Sequence, residues 1–167
     1  MEVEDINYHV MMHLDAEDLL LFCTVNKSAT KSCANDNFWM DKTNYDKLLK
    51  PNVEVFTNGM KYYYTCNMIT NYFKKYKKVN DKKYRQIKEY QDIVVLNDIH
   101  ISTLILKYSD ILYDIDDLST ITIKEQSNNY IITFKTSTTV DKFILNKQEL
   151  VNFLFEGFID DSLTIQK

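Results

Sequence analysis

From the N-terminus, the first apolar positions recur every four residues. Ile6, Val10 and Leu14 make one stripe, the period of an amphipathic helix over residues 3–14. Asp15 follows as a candidate N-cap, with Asp18 at the third helical position, where a carboxylate favours helix initiation. The apolar run from Leu19 to Cys23 then predicts a second helix that needs burial on more than one side. Asn26 is placed to cap a third short helix ending near Cys33. Asn35-Asp36-Asn37 reads as a turn that caps whatever begins at Phe38-Trp39. Three or four short helices therefore fill the first 45 or so residues.

The stretch from Asp46 to Gly59 holds the only proline, Pro51, and one of the two glycines, so it reads as a connector. It divides the chain into a helical module, residues 1–50, and a second region, residues 51–167. Met60, Tyr64, Met68, Tyr72 and Tyr76 again recur every four residues, with Ile69 and Phe73 beside them, and predict a longer helix with this stripe as its core face. The pattern then changes. Ile93 to Leu96 and Ile99 to Leu106 are β-branched and apolar, and Thr120–Ile123 and Tyr130–Phe134 alternate with period two. Gln126-Ser127-Asn128-Asn129 would join the last two as a hairpin. Asn146 and Glu149 have the spacing of a capping box, and Leu150, Phe153, Leu154 and Phe158 share one helical face. The expected class is α+β: a helical module, a long helix, a small antiparallel sheet and a C-terminal helix covering it.

Composition narrows the possibilities without deciding among them. With 45% hydrophobic and 26% charged residues the 167-residue chain has the make-up of a folded protein. No run approaches the length of a membrane span, and the acidic opening Glu2-Val3-Glu4-Asp5 is unlike a signal peptide, which points to an intracellular, cytoplasmic or nuclear protein. Cys23, Cys33 and Cys66 are odd in number and lack C-x-x-C spacing, so reduced and mostly buried thiols are expected. The abundance of Asn, Lys, Ile and Tyr suggests an A/T-rich genome.

Taken together, Ile6, Val10, Leu14, Asp18-Leu19-Leu20, Val25-Asn26-Lys27, Cys33, Asp36 and Phe38-Trp39 resemble the F-box pattern. In that family an amphipathic helix precedes an Asp-Leu-Leu helix, a valine near the next turn, and a tryptophan after an acidic turn. The form here looks most like the F-box-like modules of large DNA viruses that infect amoebae and algae. The resemblance covers residues 3–45 and departs from the family in lacking the Leu-Pro opening and in having Ala29 where an aromatic is common. It implies a protein partner, a Skp-type adaptor or its equivalent, met by Ile6, Val10, Leu14, Leu20, Val25 and Trp39. Residues 60–167 would then select a target, making the chain a substrate receptor of a cullin-type ubiquitin ligase. Independently of the family, some forty residues in short helices cannot enclose all the apolar side chains between Val10 and Phe22 by themselves.

A second class of partner is suggested by Lys74, Lys75, Lys77, Lys78, Lys82, Lys83, Arg85 and Lys88, interleaved with Tyr76 and Tyr84. Cations mixed with rings suit nucleic acid or a phosphate-rich surface, although a net charge of −4 gives no general attraction. His9 and His13 stand four apart upstream of Cys23 and Cys33 but match no zinc spacing, and Asp114, Asp116 and Asp117 lack the glycine and further oxygens of a calcium loop. No G-x-S-x-G, phosphate loop or H-E-x-x-H is present, and His100 has no neighbouring nucleophile. The expectation is a binding protein with no catalytic site, metal or cofactor.

Overall fold

The computed structural model describes residues 3–54, 57–79, 94–96, 118–136, 138–159 and 163–165. Its elements are α1 (Val3–His13), α2 (Ala16–Val25), α3 (Lys27–Cys33), α4 (Asp36–Tyr45), α5 (Gly59–Val79), β1 (Val94–Leu96), β2 (Leu118–Gln126), β3 (Asn129–Thr136), β4 (Val140–Leu145), α6 (Lys147–Ile159) and β5 (Leu163–Ile165). The class is α+β. Two compact units divide the chain, one made of Met1–Lys50 and Glu54–Tyr72, the other of Pro51–Val53 and Phe73–Lys167.

In the first unit short polar side chains set the helix starts. Asp15 accepts from the backbone N–H groups of Glu17 and Asp18, Asn26 from those of Ser28 and Ala29, and Asn35 from that of Asn37. Each cap satisfies donors that the first helical turn leaves unpaired. The core gathers Met11, Leu19, Ala29, Phe38, Trp39, Tyr63, Cys66 and Ile69. Trp39 lies at its centre, 1% exposed. Its Nε1 donates to the Cys33 carbonyl at 2.7 Å, and its ring meets those of Phe38, Tyr63 and Tyr64 at centroid distances of 5.0, 5.4 and 5.8 Å.

Those tyrosines explain a correction. A boundary near Pro51, giving a module of residues 1–50 and a region of residues 51–167, does not match the compact unit, which continues through Glu54–Tyr72. The helical module needs the first half of α5 as its last wall. The buried face of α5 keeps Ile69, Tyr72 and Phe73 of the expected face but not the methionines. Tyr63, Cys66, Ile69, Thr70, Tyr72 and Phe73 turn inward, while Met60 and Met68 are exposed. Gly59, expected to mark a connector, instead makes a close approach. A Cβ there would stand 2.8 Å from both the Cα and the carbonyl oxygen of Asp36, and the Gly59 N–H donates to Asp36 Oδ1 at 2.7 Å.

Reduced thiols were expected, but Cys23 and Cys33 form a disulfide with Cα atoms 6.0 Å apart, and only Cys66 remains a free thiol, buried. The physical reason is the turn at Asn26, which ends α2 and starts α3 without an intervening loop and so folds the two cysteine-bearing helices onto each other.

In the second unit the strands form one antiparallel sheet of order β4-β3-β2-β1-β5, with β2, β3 and β4 long and the outer pair three residues each. The β2–β3 hairpin closes through Ser127 and Asn128, both at positive φ (49° and 68°), the twist that a two-residue turn demands. Strand β4 had no sequence signal assigned to it. Ile123, Tyr130, Ile132, Phe134 and Leu145 face inward. Phe143 on the same side meets Phe153 of α6, ring centroids 6.3 Å apart. Helix α6 begins with the expected capping box: the Glu149 N–H donates to Asn146 Oδ1 at 2.9 Å and the Asn146 N–H to Glu149 Oε2 at 2.7 Å. It buries Val151, Phe155 and Ile159 besides the face read from the sequence, so it is enclosed on more than one side. Asn52 and Asn152 exchange a pair of hydrogen bonds that ties residues 51–53 to α6.

Candidate protein-docking surface

Helix α2 carries more apolar side chains than its packing can use. Leu19 and Cys23, one turn apart, point into the core, and Phe22 is half-buried. Leu20, Leu21 and Val25 are left outside at 46%, 62% and 70% exposure, and on α1 Ile6 and Val10 stand at 48% and 39%. Leu21 and Val25 are four apart, hence neighbours on one side of the helix. Fully enclosing a leucine or valine releases roughly 1.5–3 kcal/mol, so a partner that covered these side chains would gain substantially.

Acidic side chains dominate the start of α2, where Glu17 and Asp18 are exposed, and the first lysine or arginine of the chain, Lys27, follows its end. Tyr8 and Asp41 join α1 to α4 through a 2.8 Å hydrogen bond, and burial together with that carboxylate raises the phenol's pKa above its ordinary value. Behind the surface lies a polar support. Lys42 Nζ donates to the Met12 carbonyl at 3.0 Å and to Asp46 Oδ1 at 2.7 Å, while the Tyr63 hydroxyl donates to Asp46 Oδ2 at 2.8 Å. Tyr64 donates to the Ala16 carbonyl at 2.8 Å, which fixes the start of α2 against α5. The network holds the ends of α1 and α2 in place, so their outer residues are presented on a rigid base.

Of the side chains expected at a partner interface, Ile6, Val10, Leu20 and Val25 are exposed and Leu14 is half-buried. Trp39 is a correction. It is the centre of the core and cannot touch a partner without unfolding the unit. Leu21, counted in the apolar surplus but not among the expected contact residues, is exposed, as are Tyr8, Met40 and Tyr45. The signal for Leu21 was present: helical spacing from Val25 within an apolar run too wide for one face. In the lysine-rich segment only the Lys74 side chain is described, and it is exposed. The side chains of Lys75, Lys77 and Lys78, and all of Lys82, Lys83, Arg85 and Lys88, lie outside the described residues, as do His100, Asp114, Asp116 and Asp117.

Chemistry at thiols and imidazoles is restrained by placement. Burial pushes the Cys66 thiol up to about 12, against smaller opposing effects of the Tyr62 hydrogen bond and Lys50, so it is protonated at neutral pH. His9 and His13 meet edge to face with ring centroids 4.8 Å apart, and the His13 ring meets the Tyr45 hydroxyl at 2.8 Å from Nδ1. With Cys23 and Cys33 bonded to each other, these histidines have no thiolate to share a metal with. Among the described residues no three potential ligands cluster, and no helix is long and apolar enough to cross a membrane. Comparison with known proteins gives no match: no family model, no curated protein and no solved structure is similar to this chain.

Proposed function

We propose that the protein is a non-catalytic interaction adaptor whose α1–α4 module, F-box-like in its sequence pattern, docks a Skp-type adaptor or an equivalent protein through Ile6, Val10, Leu20, Leu21 and Val25. The second unit then carries the target, and the chain acts as a substrate receptor of a cullin-type ubiquitin ligase. Its mechanism is effective concentration, two binding surfaces on one chain, with ubiquitin transfer performed by the partners. The observation that supports this reading is the set of aliphatic side chains that α2 leaves in solvent although its own core is filled.

The test is binding of the full chain to a purified Skp-type adaptor, by calorimetry, with Leu20→Asp and Val25→Asp as probes. Both positions are exposed, so the variants keep the fold, and each should weaken binding by tenfold or more, as expected of central apolar contacts. No measurable binding by the unaltered protein, or full affinity in the double variant, would overturn the reading.

A further inference from the structure

The outer face of the sheet in the second unit has a composition of its own. Strand register sets Lys124, Ile131 and Ile144 in one cross-strand row, Thr122, Thr133 and Lys142 in the next, and Lys135 beside Val140 in a third. Side chains of the intervening positions, Ile123, Ile132, Phe134 and Leu145, are enclosed on the opposite face, so these rows look away from α6. Val140 and Ile144 are 56% and 66% exposed, and Lys135 and Lys142 are exposed beside them. Every charged side chain in these three rows is a lysine, in a chain with more acidic than basic residues. The adjacent carboxylates, Glu125 and Asp141, belong to positions of the other face, and Asp141 Oδ1 accepts from the Lys142 backbone N–H at 2.8 Å.

We propose that this face docks an acidic, aliphatic segment of a partner protein, independently of what α1–α4 binds. Three occupants would be served differently by the same residues. A second copy meeting face to face would set lysine against lysine, since a two-fold interface pairs each patch with itself. A nucleic acid would find cations but no aromatic ring in these rows on which to stack a base. An acidic protein segment meets both components, carboxylates against Lys124 and Lys142, and aliphatic groups against Ile131, Val140 and Ile144. Protection of a sheet edge from self-pairing accounts for Lys142 on the terminal strand β4. It does not account for Lys124, which stands on the interior strand β2.

The test uses the full chain and two labelled probes, peptides of alternating valine with glutamate and of alternating valine with lysine, followed by fluorescence anisotropy at low and high salt. The glutamate peptide should bind and the lysine peptide should not. Lys124→Glu with Lys142→Glu should weaken the first by roughly tenfold or more and create binding of the second. Lys124→Gln with Lys142→Gln, which adds no new charge, should weaken the first without creating the second, and circular dichroism verifies that each variant is folded. Absence of glutamate-peptide binding, indifference of that binding to both double variants, tighter binding of oligothymidylate at the same lysines, or a dimer abolished by Ile144→Asn would each overturn the proposal.

Discussion

Lys42 is 1% exposed while its partner Asp46 keeps 23% of its side chain in solvent, and this asymmetry decides what each substitution does. Removing Asp46 leaves an ammonium in the interior with only the Met12 carbonyl and the rings of Tyr45 and Tyr63 around it. Removing Lys42 leaves a carboxylate that water can reach and that Tyr63 still serves. Asp46→Ala should therefore cost about 3–5 kcal/mol and Lys42→Met roughly 1–3 kcal/mol, with the double variant well short of the sum, as read from urea unfolding. Gly59→Ala is decided by sterics. Alanine is the better helix former by about 1 kcal/mol, but its methyl would press on the Asp36 backbone and, at 3.0 Å, on Trp39 Cβ. Neither neighbour is the end of a flexible side chain, so a net loss of about 1–3 kcal/mol is expected. Glycine and tryptophan were both visible in the sequence, yet nothing there revealed that they meet, because the contact joins positions twenty residues apart.

Where elements are concerned, local chemistry was legible and mutual packing was not. Asp15, Asn26, Asn35 and the Asn146–Glu149 box all cap the helices that their positions predicted, since a cap acts within three residues of itself. The Met60–Tyr64–Met68 stripe misled because methionine and tyrosine tolerate either side of a helix, whereas the inward face is chosen by what α4 offers it. Strand β4 escaped notice because Asp141 interrupts its apolar alternation, and only pairing with β3 makes a strand of it. The disulfide belongs to this scale as well. It closes a short loop across α2 and α3, with a sequence separation of 10, and loop-closure entropy assigns it about 2–3 kcal/mol. Reduction by a dithiol, or Cys23→Ala with Cys33→Ala, should lower the stability of the first unit by that amount. Unchanged urea midpoints after reduction, with free thiols confirmed by titration, would contradict the pairing.

For the molecule as a whole, the tyrosine-rich first unit is vulnerable to base. Burial raises Tyr62 and Tyr64 from 10.0 to about 12 and Cys66 from 9.0 to about 12, and burial with the Asp46 hydrogen bond lifts Tyr63 further. A raised pKa means the folded state keeps a proton that the unfolded chain has lost. Their contribution is thus intact below the ordinary values and is lost as pH climbs from about 9 towards 12 and beyond. The second unit has Tyr130, also raised to about 12 by burial and Glu125, as the one such shift among its described residues. Urea titrations at rising pH, read by Trp39 fluorescence for the first unit and by far-UV circular dichroism of the sheet for the second, should show the first unit failing first; equal sensitivity of both units would refute this. The α+β class and the succession of helices then strands were readable from periodicity, whereas the partition between units was not, because it depends on which distant side chains share a core.

That partition bears on how the protein can be taken apart. The first unit takes in residues on both sides of Pro51–Val53, and the chain leaves it for good only within α5, between Tyr72 and Phe73. A cut at Pro51, inviting on paper, would strip Tyr63 and Tyr64 from the Trp39 indole and leave the N-terminal fragment with an open wound for bystanders to adhere to. Baits made that way would collect proteins by stickiness alone, so any search for partners should keep α5 whole.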